Sequence, residues 1–108
     1  MEEKIIFFID AHYAEPLSIG DVASSVGFSK YYVSRQFKKI TNRSFCDYLN
    51  QKRIAVAQEL LTSTEMSVTD ISLQAGFQSI SSFNRIFRAE VGCSPTEYRT
   101  IGYIANNN

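Results

Sequence analysis

Four polar side chains, Tyr31, Ser34, Arg35 and Lys38, stand at i, i+3, i+4 and i+7, the spacing that gathers them on one face of a helix. The same four places recur fifty residues later as Ser81, Asn84, Arg85 and Arg88. These residue types suit the reading of a nucleic acid. An Arg fork matches the paired acceptors on the major-groove edge of guanine, Asn matches adenine, and a serine hydroxyl bonds either kind of edge. A helix carrying such a face fits the major groove of duplex DNA.

The two faces belong to a longer duplication. At an offset of 49, Ser18, Asp21, Gly27 and Phe28 return as Ser67, Asp70, Gly76 and Phe77, while Leu17, Ile19 and Val22 return as Met66, Val68 and Ile71. One residue is then inserted between Phe77 and Phe83. From there the offset is 50: Arg35, Phe37, Ser44 and Tyr48 become Arg85, Phe87, Ser94 and Tyr98, with Lys38 and Asp47 replaced by Arg88 and Glu97. Two copies of one supersecondary unit are therefore present. They suit a ligand that itself repeats.

The elements that must position these faces read as helical. The chain has only two Pro and five Gly, and its apolar residues fall at three- and four-residue spacing rather than alternating. Ile19, Val22, Ala23 and Val26 form one stripe; Val68, Ile71, Ser72 and Ala75 form its copy. Four S-x-x-D/E capping boxes mark helix starts: Ser18 with Asp21, Ser44 with Asp47, Ser67 with Asp70, and Ser94 with Glu97, the last strengthened by Pro95. Those serines are caps, not nucleophiles.

Each copy then has the form of a helix-turn-helix. A capped helix ends at Gly27 or Gly76, where glycine permits the left-handed backbone of a sharp turn. Phe28 or Phe77 is expected to plug the corner. A second helix follows, with Val33, Phe37 and Ile40 expected inward in the first copy and Phe83, Phe87 and Val91 in the second. From Phe45 to about Leu61 there is no Gly or Pro, so a single helix is expected there. As a rigid spacer of roughly 25 Å, it is long enough, with the bodies of the units added, to set the reading helices about one DNA turn apart, roughly 34 Å. Such a rod fixes the phase of the two helices, an arrangement compatible with bending of the DNA to meet both. The expected fold class is all-α: two helix-turn-helix subdomains (1–44 and 63–108) joined by a linker helix (45–62), about seven helices in all.

A chain of 108 residues with 44% hydrophobic content is enough for one or two small cores. The longest apolar run, Ile5 to Ile9, falls far short of the roughly 20 residues that span a bilayer, so no membrane association and a cytoplasmic location are expected. Cys46 and Cys93 form no CxxC pair, which argues against a disulfide framework or a thiolate metal site. One His, no Gly-rich loop and serines committed to caps argue against an enzyme; no catalytic residue, metal or cofactor is expected.

The formal net charge is zero, yet it is unevenly divided. Residues 1–28 hold one Lys against five acids, net −4; residues 29–53 hold seven Lys or Arg against Asp47, net +6. Residues 54–77 carry three acids, and residues 78–108 carry three Arg against two Glu. The local field decides where phosphate is attracted, so a neutral sum is compatible with nucleic acid. A basic run taken alone is also what a solvated face looks like.

Taken together, the runs LSIGDVASSVGFSKYYVSRQFKK, QKRIAVAQELL and VTDISLQAGFQSISSFNRIFRAEVGCSPTEYR resemble the double helix-turn-helix DNA-binding domain of AraC-type (AraC/XylS) bacterial transcription regulators, over nearly the whole chain. The resemblance implies sequence-specific binding of double-stranded DNA and regulation of transcription, with activation as the expected sign. It implies base-reading roles for Tyr31, Ser34, Arg35, Ser81, Ser82, Asn84 and Arg85, and phosphate contacts at Lys30, Lys38, Arg88 and the helix starts at Ser18 and Ser67. RNA polymerase and a fused sensory or receiver domain outside these residues are candidates for further partners. Ile80 departs from the family pattern, which often has a polar base-reader there; it would meet a thymine methyl or nothing. The alternative is a helical protein-docking module that does not bind DNA.

The remaining charged residues are expected to be structural or solvated. Lys39, Arg43 and Lys52 read as solvated cations, and Arg53, between Leu49 and Ala57 on the linker's apolar stripe, as a packed stem with a paired guanidinium. His12 belongs to a first helix that covers the first unit.

Overall fold

Serine caps and left-handed turns divide the chain into helices. In the computed structural model, which describes residues 2–106, these are α1 (Glu2–His12), α2 (Ile19–Val26), α3 (Lys30–Thr41), α4 (Phe45–Ser63), α5 (Val68–Gln74), α6 (Ile80–Val91) and α7 (Pro95–Asn106). The fold of the described residues is all-α.

The expected boxes start α2, α4, α5 and α7. In the boxes of Ser18 and Ser94 both limbs close: the serine Oγ accepts from the backbone N–H of Asp21 or Glu97, and the acid accepts from the serine's own N–H. At Ser44 and Ser67 the hydroxyl accepts from Asp47 N–H and Asp70 N–H, each within 3.1 Å. The turns close alike as well. Gly27 at φ 75° and Gly76 at φ 106° take the left-handed backbone that a Cβ disfavours, and the next residue's N–H reaches back to Ala23 O or Ser72 O.

The chain divides into two compact units between Lys52 and Arg53, so α4 contributes to both. In the first unit Ile5 and Ile9 of α1 are buried with Val22, Ala23, Val33, Phe37 and Leu49. Phe37 meets Phe45 and Tyr48 edge-on, at ring separations of 6.0 and 5.1 Å. In the second, Ile54, Ala57 and Leu61 of α4 take the covering role that α1 plays in the first. They are buried with Ile71, Ala75, Phe77, Phe83 and Phe87. Tyr98 stands edge-on to Phe87 at 5.7 Å, as Tyr48 stands to Phe37. Burying each Val, Leu, Ile or Phe of these cores contributes about 1.5–3 kcal/mol before the entropy of ordering it is counted.

Two expectations about the core are corrected. Phe28 does not plug its corner: it is 47% exposed and stacks on Tyr32 at 5.0 Å, whereas Phe77 is 5% exposed and lies against Phe83. Phe28 directly precedes Ser29, the cap of α3, while Gln78 separates Phe77 from Ser79, the cap of α6. The extra residue gives the second ring the chain length to turn inward. Ile40 is likewise not inward, at 41% exposed; Val33 and Phe37 already fill the one stripe of α3 that faces the core.

Candidate nucleic-acid interface

The second helix of the first copy, α3, buries Val33 and Phe37 and exposes its other side. That side presents Lys30, Tyr31, Ser34, Arg35, Lys38 and Lys39, all exposed. The Arg35 guanidinium lies over the Tyr31 ring, 5.4 Å from its centroid. Among the described residues no acid lies within ion-pair distance of Lys30, Arg35 or Lys38, so their charges are available to an external anion.

Its counterpart in the second copy, α6, buries Phe83 and Phe87. Ser81, Asn84 and Arg85 are exposed along its outer face, and Ser82 is half-buried. Arg88 is exposed but held: its guanidinium donates to Glu97 Oε1 at 3.3 Å. A phosphate would have to compete with this carboxylate, although a surface pair of this kind is worth little by itself. Ile80, at the first position of α6, is more than one-third exposed and offers an apolar contact.

Sequence spacing misses the caps of the reading helices themselves. Ser29 Oγ accepts from Tyr32 N–H and Ser79 Oγ from Ser82 N–H, each at 3.1 Å. Position N3 is Tyr32 or Ser82 rather than an acid, so a search for capping boxes passes over both. The fifty-residue offset between Ser29 and Ser79 is the signal that finds them. Neither α3 nor α6 has an acid in its first turn, whereas α2, α4, α5 and α7 each do. The partial positive charge at the start of α3 and of α6 is therefore not neutralised by its own side chains, which suits a polyanion.

At Ser18 and Ser67 the hydroxyls cap α2 and α5. The Ser18 N–H bond, then the Ser18 hydroxyl, hold the Asp21 carboxyl below its usual range. At Glu97 the Ser94 N–H and then the Ser94 hydroxyl do the same, with a smaller contribution from Arg88. Both acids are ionised at neutral pH and fix their helix starts.

Other cations are structural. Lys52 pairs with Asp10 at 3.3 Å and lies over the Tyr13 ring, tying α4 to α1, so it is not a freely solvated charge. Arg53 is half-buried over the Phe77 ring. Arg99 Nε donates to Leu61 O at 3.0 Å and its terminal nitrogen to Thr64 O at 3.3 Å, satisfying carbonyls at the end of α4. His12 bonds Glu15 and rests on Phe8. Among the described residues, no three His, Cys, Asp or Glu side chains gather closely enough to hold a metal, and no helix is long and apolar enough to cross a membrane.

Known proteins provide one family match, one similar sequence and two similar structures. A family model described as a helix-turn-helix domain matches residues 15–101. The chain is 36% identical over 97 residues to the regulatory protein SoxS of Escherichia coli, a match that covers 90% of this chain and 91% of that protein. Its structure is similar to the DNA-binding domain of AdpA, a global transcriptional factor solved with a target DNA (TM-score 0.87, 25% identity, 92% of this chain and 89% of that one). It is also similar to an AraC-type regulator from Chromobacterium violaceum (TM-score 0.86, 30% identity, 93% and 89%).

Proposed function

The chain belongs to the AraC-type helix-turn-helix family of DNA-binding transcription regulators, and from that premise we propose that α3 and α6 are two reading helices of one sequence-specific DNA-binding domain. It regulates transcription and is not an enzyme. The observation that carries the assignment of the helices is the repeated exposed face, Tyr31, Ser34, Arg35 and Lys38 on α3 and Ser81, Asn84, Arg85 and Arg88 on α6, each on a helix whose opposite stripe is buried. Arg35, Arg85 and Asn84 read base edges, with Tyr31, Ser34, Ser81 and Ser82 beside them. Lys30, Lys38, Arg88 and the helix starts at Ser18 and Ser67 meet phosphates.

Activation is the proposed sign of regulation, through contact with RNA polymerase, and a fused sensory or receiver domain outside these residues is the proposed source of the signal. The division into a first subdomain (1–44), a linker helix (45–62) and a second subdomain (63–108) belongs to the same reading. A titration with duplex DNA at several salt concentrations tests it. Affinity should fall steeply with salt, by a slope of about −0.9 per phosphate neutralised. Binding that is absent or indifferent to salt overturns the reading in favour of a protein-docking module. Selection from a random duplex pool should return two short boxes, and a single box would mean that only one helix reads.

A further inference from the structure

Tyr31 is an exposed aromatic residue, 72% accessible, on the second position of α3, and its ring lies against the guanidinium one helical turn on. No acid within ion-pair distance explains the position of Arg35 among the described residues. The equivalent pair on α6 is Ser81 and Arg85, where the i−4 residue has no ring to offer. Resting on the assignment of α3 as a reading helix, we infer that Tyr31 is a positioning residue, whose ring holds the Arg35 guanidinium ready for the DNA edge, rather than a reader through its hydroxyl.

The physical grounds are these. A free arginine side chain samples many rotamers and loses that freedom when it docks bidentately on a base. A guanidinium stacked on a ring face keeps its N–H fork unoccupied, because the contact uses the π surface and consumes no donor. An ion pair has the opposite effect, as Arg88 shows: its terminal nitrogen is already donating to Glu97. Tyr31 therefore orders Arg35 without competing with the base for its donors. The hydroxyl takes no part, so phenylalanine should serve as well as tyrosine.

The test is a double-mutant cycle on a duplex that the wild-type chain selects from a random pool, with circular dichroism confirming that each variant remains helical. Tyr31→Phe should bind within about twofold of wild type. Tyr31→Ala should bind about two- to fivefold more weakly, the size of an exposed cation–π contact expressed as affinity. In an Arg35→Ala background, Tyr31→Ala should add almost nothing. Tyr31→Ala should also relax base preference at the same duplex position as Arg35→Ala, a readout that a merely structural role would not move. The inference is overturned if Tyr31→Phe loses as much as Tyr31→Ala, or if the loss persists without Arg35, since either result makes Tyr31 an independent contact. If the wild-type chain selects no duplex, the assignment of the reading helix fails and this inference with it.

Discussion

Phe28 and Phe77 follow equivalent glycines and close equivalent backbone bonds, yet one ring stacks outside on Tyr32 and the other is buried against Phe83. The contrast extends through both units. The second has a continuous run of rings, Phe77, Phe83, Phe87 and Tyr98, inside its core, where the first has Val33 and Phe37 with Phe45 and Tyr48. The first carries rings and cations on the outer side of α3; the second carries small polar residues on α6, has Glu90 near its end, and pins Arg88 to Glu97. One backbone plan thus supports a unit with more exposed cations on α3 and a unit with more fully buried aromatic rings. If α3 and α6 read DNA as proposed, the first unit should contribute more of the affinity for a polyanion, because its reading helix carries more unpaired cations.

The largest effect that could break this contrast is on stability. Phe77→Ala should destabilise the second unit by about 3–5 kcal/mol, the cost of emptying a buried phenylalanine site, whereas Phe28→Ala should cost less than about 1 kcal/mol. Urea unfolding followed by helical signal measures both, and equal losses would contradict the different fates of the two rings. Deleting Gln78 sharpens the point, because it should bring the Phe77→Ala-like loss without removing any apolar side chain.

Next in size is DNA affinity. Arg35→Ala should weaken binding by on the order of 1–3 kcal/mol if the residue reads guanine, and by more than Arg85→Ala does. The reverse ranking in a titration at fixed salt would sink the assignment of the larger share to the first unit. Lys38→Ala should reduce the salt dependence more than Arg88→Ala, because Arg88 already has a carboxylate partner.

Acid should act on both units through different caps. The Asp21 carboxyl, at the start of α2, and the Glu97 carboxyl, at the start of α7, both titrate below their ordinary values of 3.8 and 4.5. A group whose folded pKa is lowered contributes stability above its unfolded pKa and loses it as pH falls through the folded value. Stability should therefore hold level at neutral pH and decline as pH drops below about 4.5. Asp21→Asn should flatten the part of that decline seen at α2 and Glu97→Gln the part seen at α7, as amide exchange in each first turn would report.

The smallest expected effect concerns the ends of the reading helices. Asn42 closes α3 at φ 59°, and Gly92 closes α6 at φ 95°. Gly92→Ala should cost about 1–2 kcal/mol in the second unit, because a Cβ is disfavoured in the left-handed region. Asn42→Gly should be within about 0.5 kcal/mol of neutral, since asparagine already tolerates that conformation. A large gain from Asn42→Gly would show that the first unit stores strain at this turn.

Much of the fold was legible because its determinants are local. Caps, glycine turns and three- and four-residue apolar spacing act within a few residues, and the duplication let each unit check the other. The outward faces of α3 and α6 followed from the same periodicity. Ser29 and Ser79 escaped because their caps lack the acid that completes a box. Lys52 read as solvated because its partner, Asp10, lies on a helix distant in sequence.

The starts of α2, α4, α5 and α7, the duplication of the unit and the sharing of a face by given side chains were all written in the residues, since caps and faces depend on interactions within one or two turns. What equivalent positions do emerged only from packing. Leu49 is buried in the first core, while its counterpart Arg99 reaches carbonyls at the end of α4. Phe28 remains outside and Phe77 goes in. The reason is that burial and long-range pairing depend on which other element arrives at a position, and no local spacing records that.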